Sequence, residues 1–186
     1  MKKLNKIYNI IPIAVIILSF TYLVINRDEL RFIRVQGIDL SRESINGISL
    51  MDKFDLSSVE KAFGKSEKVT FVDTNAEGYA FNSEKCDAAI GLDKNNNITS
   101  IAGSTLKDTL YTGKCITLNK SSFDDIIEAY GINYLKVISK DSERGNKETG
   151  YSITYIDKKN NYKLEFDIFE FKSKEEIQNI RLWKYK

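Results

Sequence analysis

The residue types that carry most enzyme chemistry are thin in this sequence. Its 186 residues include no histidine, which removes Ser-His-Asp catalysis, Cys-His catalysis and every histidine-based metal site. Two cysteines, Cys86 and Cys115, are too few for a structural zinc site. In an oxidising compartment they could form a disulfide that stabilises the fold by roughly 3–4 kcal/mol through loop closure. The alternative is two separate buried thiols.

The remaining motifs read more simply as structure. Ser58-Val59-Glu60-Lys61 has the S-x-x-K spacing of serine acylases, but that chemistry needs partner motifs and a larger scaffold. Gly64-Lys65-Ser66 looks like the end of a phosphate loop, yet Val59 stands where the loop requires glycine. Asp93-Lys94-Asn95-Asn96-Asn97 begins like a calcium loop, but Ile98 and Ser104 replace its glycine and glutamate. A polar hairpin turn is the expectation there. Asp124 and Asp125 open a predicted helix, where the dipole favours acids; a glycosidase-type pair is the alternative. No catalytic residue, cofactor, nucleotide or metal is therefore expected.

Recognition by aromatics fits better. The chain has ten Tyr, ten Phe and one Trp. Tyr79, Tyr151, Tyr155, Trp183 and Tyr185 fall on predicted strands among polar neighbours. An antiparallel sheet with helices on one side leaves its other face open, and Tyr or Trp there would suit a protein partner. The competing reading is that these rings fill the core. Charge argues against nucleic acid. Three of the 28 basic residues (Lys2, Lys3 and Lys6) precede an apolar run, so the rest carries 25 basic against 26 acidic residues.

The elements that would position these residues come in two copies. Leu56-Ser57-Ser58-Val59-Glu60-Lys61-Ala62-Phe63-Gly64 and Phe123-Asp124-Asp125-Ile126-Ile127-Glu128-Ala129-Tyr130-Gly131 share one pattern, 67 residues apart. The spacing places the apolar side chains on one helical face. Each glycine stands at a C-cap, and Asp55 or Ser57, and Ser121 or Ser122, can cap the starts. Gly78-Tyr79-Ala80-Phe81 answers Gly150-Tyr151-Ser152-Ile153. Ile90, Leu92, Ile98 and Ile101 answer Phe169, Phe171, Ile177 and Ile180 at an offset of 79. Alternation of Leu164, Phe166 and Ile168 with Glu165 and Asp167 predicts a strand. The slip to Phe169 predicts a bulge, and Asp157–Asn161 a hairpin turn.

Each half thus reads as one short helix followed by about four antiparallel strands, over 46–104 and 112–186, with 105–111 connecting them. The helix ending in aromatic-glycine and followed by a meander, twice over, resembles the tandem fold of the β-lactamase-inhibitor-protein superfamily. Ile48-Ser49-Leu50 and Thr112-Gly113-Lys114-Cys115-Ile116-Thr117-Leu118 add to the likeness. That superfamily includes small envelope-assembly lipoproteins and exported Gram-positive proteins of unknown role. The resemblance implies a protein-binding fold but carries no inhibitor residue across.

Residues 7–26 carry no charge, and fifteen of them are apolar. A helix of this length crosses a bilayer core of roughly 30 Å. The bulky Tyr22-Leu23-Val24-Ile25 disfavours signal cleavage. The expectation is a single-pass anchor with residues 1–6 cytoplasmic, 27–45 juxtamembrane and the C-terminal domain extracytoplasmic. The expected class is α+β: a transmembrane helix followed by two tandem helix-plus-sheet repeats. The expected function is non-enzymatic binding of an envelope protein, as an inhibitor, an immunity factor or an accessory subunit. An envelope enzyme with a carboxylate site is the alternative.

Overall fold

In the computed structural model the described residues are 34–71, 76–84, 86–104, 109–139, 150–171 and 174–185. Two eight-residue helices punctuate the described residues. Helix α1 (Leu56–Phe63) starts at Asp55, whose carboxylate accepts from the Ser58 amide at 3.0 Å. Helix α2 (Phe123–Tyr130) starts with a reciprocal Ser122–Asp125 capping box, which satisfies amides that the first turn leaves unpaired. Gly64 and Gly131 end the helices at φ +102° and +84°, a region that side chains disfavour. At Gly64 a Cβ would also meet Ser83 at 2.7 Å.

After each helix the chain runs through four antiparallel strands. Strands β1 (Ser44–Ile45) and β2 (Ile48–Ser49) form a small separate hairpin. Strands β3 (Ser66–Phe71), β4 (Ala76–Asn82), β5 (Asp87–Leu92) and β6 (Ile98–Ser104) follow α1. Strands β7 (Leu135–Ser139), β8 (Gly150–Asp157), β9 (Tyr162–Phe171) and β10 (Lys174–Lys184) follow α2. The two meanders join through β6 and β10 into one eight-stranded sheet of order β3-β4-β5-β6-β10-β9-β8-β7.

The core lies on one face of this sheet, under both helices. Ile90, Ile101, Leu182, Leu164 and Tyr155 are successive cross-strand partners and are all fully buried. Burying each such side chain stabilises the fold by roughly 1.5–3 kcal/mol. Phe63 of α1 packs on Phe81, and Tyr130 of α2 on Tyr155 and Phe166. The register shifts leave Thr99 on β6 and Gln178 on β10 as extra residues. These bulges let Ile98 and Ile101, and likewise Ile177 and Ile180, all face the core despite their odd spacing.

Several expectations are corrected. The class is mostly β: among the described residues one continuous antiparallel sheet dominates and two short helices accompany it. Over the described residues it is not the expected α+β fold. Among the described residues no helix is long and apolar enough to cross a membrane. The expected anchor, residues 7–26, and the tail before it lie outside the described residues, as does most of the juxtamembrane segment. The described residues give no support to the single-pass membrane placement or the extracytoplasmic location. The bulge expected at Ile168–Phe169 sits instead on the neighbouring strand, at Gln178.

Candidate functional site

The face of the sheet opposite α1 and α2 is built from the alternate residues of the same strands. Its first half is a floor of small residues. Ala80, Ala89 and Ala102 are cross-strand neighbours, as are Gly78, Gly91 and Ser100, although Phe71 covers Gly78, and both Gly78 and Gly91 are buried. The second half carries longer side chains in the same rows: Arg181 beside Glu165, and Trp183 beside Lys163. Strand pairing aligns Ala102 with Arg181 and Ser100 with Trp183. The floor thus ends at a ridge of large polar and aromatic groups.

Arg181 is locked by charge. Its Nη2 lies 3.0 Å from Glu165 Oε1 and 2.8 Å from Asp167 Oδ2. Glu165 also accepts from the Thr154 hydroxyl at 2.9 Å, and Asp167 from the Asn179 amide at 3.2 Å. Both carboxylates are largely covered, at 18% and 14% exposure, while Arg181 is half exposed. The guanidinium is therefore presented to solvent in a fixed orientation. Lys163 Nζ lies 5.8 Å from the Trp183 ring and 4.7 Å from that of Tyr185, within cation–π range. Between ridge and floor is an open depression of about 490 Å³, lined by Asp87, Ala89, Ala102, Ser104, Asp167 and Arg181 among others.

The five aromatics expected on a binding face divide between the two sides. Trp183 and Tyr185 belong to the open face and are partly buried. Tyr155 is fully buried on the helix side, and its hydroxyl donates to the Gly131 carbonyl at 2.8 Å. Tyr79 stacks on Phe54 at 4.4 Å. Tyr151 donates to Glu175 at 2.9 Å and meets the edge of Phe123. Burial first, and Glu175 second, raise the Tyr151 hydroxyl above the usual tyrosine range. Burial, then neighbouring Tyr134, do the same for Tyr155. Both stay protonated and serve as donors. Alternation alone could not separate these tyrosines from Trp183, because either face of a strand reads as every second residue.

What sequence reading missed is the floor and the clamp. The signal was present as Gly78, Ala80, Ala89, Gly91, Ser100, Ala102 and Ser104, small residues alternating with the core positions Phe81, Ile90 and Ile101. Glu165 and Asp167 were visible only as the polar phase of one strand.

The cysteines form no disulfide. Cys86 is buried with its thiol 3.6 Å from the Phe63 carbonyl. Cys115 is exposed in the turn closed by its own amide on the Thr112 carbonyl. A second polar cluster is structural. Glu43, almost fully buried, accepts from the Ser44 and Gly113 amides at 3.0 and 2.7 Å and from the Tyr130 hydroxyl at 2.9 Å. This carboxylate ties the loop before β1 to the 112–116 turn and to α2. Among the described residues no group of carboxylates and thiols could hold a metal ion.

Comparison with known proteins returned no matching family, no matching curated protein and no matching solved structure.

Proposed function

We propose that this chain is a non-enzymatic protein-binding module whose partner docks on the open sheet face. The carrying observation is the junction of the small-residue floor with the Arg181–Trp183 ridge. Arginine and tryptophan are the residue types that dominate binding energy at interfaces. Here Arg181 is already held in place, so less ordering cost falls on association. At Ala80, Ala89 and Ala102 the floor lets a partner side chain approach the sheet backbone closely. The resemblance of the repeated helix phrase to the inhibitor-protein superfamily points the same way, since its members mostly bind proteins. Inhibitor and accessory-subunit roles both follow from such a face.

A carboxylate-based enzyme is the weaker reading. Asp87 and Asp167 both line the depression, which is the observation in its favour. Asp167, however, is engaged by Arg181 and Asn179. Its lone pairs hold the ridge together instead of facing a reacting atom.

The test is site-specific photocrosslinking in the full chain, in its native cells. A photoreactive residue at Ala102 is expected to capture a protein. One at Lys68, on the helix side of edge strand β3, is expected to capture none. Equal capture at both, or none at Ala102, would sink the proposal.

A further inference from the structure

We infer that the partner presents a basic surface to the open face, with a lysine or arginine side chain seated in the depression over Ala89 and Ala102. This rests on the docking reading above and adds the partner's chemistry. Register assigns five described carboxylates to this face: Glu67, Asp87, Glu165, Asp167 and Glu176. Register places three cations on it as well, Lys163, Lys174 and Arg181. All three belong to β9 and β10, on the ridge side, and Arg181 is already matched by Glu165 and Asp167. On the floor side Asp87 and Glu67 are exposed. Among the described residues no ion pair reaches either of them. The charge left over is therefore negative, and it lies beside the cavity instead of on the ridge.

Shape agrees with charge. Ala89 and Ala102 end at their Cβ atoms, leaving a flat apolar strip in front of Asp87. A lysine or arginine has an aliphatic stem suited to such a strip and a charged head that must reach an acid. An acidic partner, or the phosphates of a nucleic acid, would meet repulsion here. Complementary charge of this kind sets specificity and encounter rate, and its effect weakens as salt rises.

Trp183 makes the test direct, because it is the chain's one tryptophan and its cross-strand neighbour is Ser100 of the floor strand β6. The full chain is titrated with a soluble peptide of alternating arginine and alanine, and separately with its glutamate–alanine counterpart, while Trp183 emission is followed. The arginine peptide is expected to shift the emission and the glutamate peptide to leave it unchanged. Asp87→Asn is expected to weaken the arginine peptide by about threefold to tenfold, an effect of charge at an interface. Glu77→Gln, on the helix side, is expected to change nothing, and unchanged urea midpoints show that both variants fold. The partner captured from Ala102 is then mapped, and the crosslinked segment is expected to be rich in lysine or arginine. If Ala102 captures a protein through a neutral or acidic segment, or if both peptides act alike, the basic-partner inference falls while the docking face stands. If the arginine peptide binds but Ala102 captures nothing, the docking reading itself falls and takes this inference with it.

Discussion

Thr99 and Gln178 occupy the same place in the two halves of the sheet. Each is the extra residue of a bulge, 79 positions apart in sequence, and each lies between two buried isoleucines. Because side chains alternate along a strand, the bulge is what lets isoleucines three apart share one face. Deleting Gln178 would turn either Ile177 or the pair Ile180 and Leu182 toward the open face. Each exposed side chain forfeits roughly 1.5–3 kcal/mol of burial. The deletion is expected to abolish the cooperative urea transition, whereas Gln178→Ala leaves its midpoint nearly unchanged.

Two glycines in equivalent strands lie beneath aromatic rings. A Cβ on Gly150 would stand 2.9 Å from the Phe169 ring, and one on Gly78 would stand 2.4 Å from Phe71 and 2.2 Å from the Ile90 carbonyl oxygen. A ring can tilt, but the backbone of a central strand cannot easily move. Gly78→Ala is therefore expected to cost more than Gly150→Ala, the former about 1–3 kcal/mol as overpacking. Chemical denaturation of both variants would reveal the order, and the reverse order would refute the argument.

Tyr130→Phe removes one donor from the buried Glu43 carboxylate and leaves Thr112 without its phenolic neighbour at 2.8 Å. The ring and its packing on Tyr155 remain. A loss of about 1–3 kcal/mol is expected, the range for a buried acceptor that loses its donor. A stability within error of the parent would mean that water replaces the hydroxyl.

Asp157 links acid to unfolding. Burial pushes its carboxyl up, but donors from Asn160, Leu40 and Lys159 outweigh burial and hold it below the usual aspartate range. A carboxyl lowered on folding contributes stability that is complete above its unfolded pKa and fades as pH drops through the folded value. Stability should therefore fall with acid below about pH 4. Asp157→Asn should be less stable at neutral pH, with a shallower decline between pH 4 and 2. Urea midpoints across that range measure both, and an unaltered slope would dismiss the role.

The two thiols should differ in reactivity. In the native chain a maleimide is expected to label Cys115 and spare Cys86, with both labelled in denaturant. Mass spectrometry of tryptic peptides separates the sites. Rapid native labelling of Cys86 would contradict its burial behind Phe63.

Much of the strand pattern was legible because it is local. The offset between Leu56–Gly64 and Phe123–Gly131 marks both helices, and Asp93 and Asp157 mark two hairpin turns. Helix caps read well because capping needs only residues within one turn, as at Asp55 and Ser122. The face on which a tyrosine lies was not legible. Tyr151 and Trp183 both sit in alternating strands, and which phase is inward depends on partners more than twenty residues away. The clamp on Arg181 was hidden for the same reason, since Glu165 and Asp167 meet it only through the β9–β10 register. The apolar run at 7–26 was read from composition alone and lies outside the described residues; the α+β class erred because it gave two short helices equal weight with what proved to be one eight-stranded sheet.

Strand β10 lies between β6 and β9, yet it follows every other strand in the chain. During synthesis the first meander can form early, since its pairings are local, but its inner edge must wait. Until β10 emerges, both β6 and β9 present unpaired backbone, a template for joining other chains. The seam that unites the two halves is thus also the last to close, and a stalled or clipped product ending before residue 174 would leave β6 and β9 as two sticky edges, both of which are paired in the finished protein.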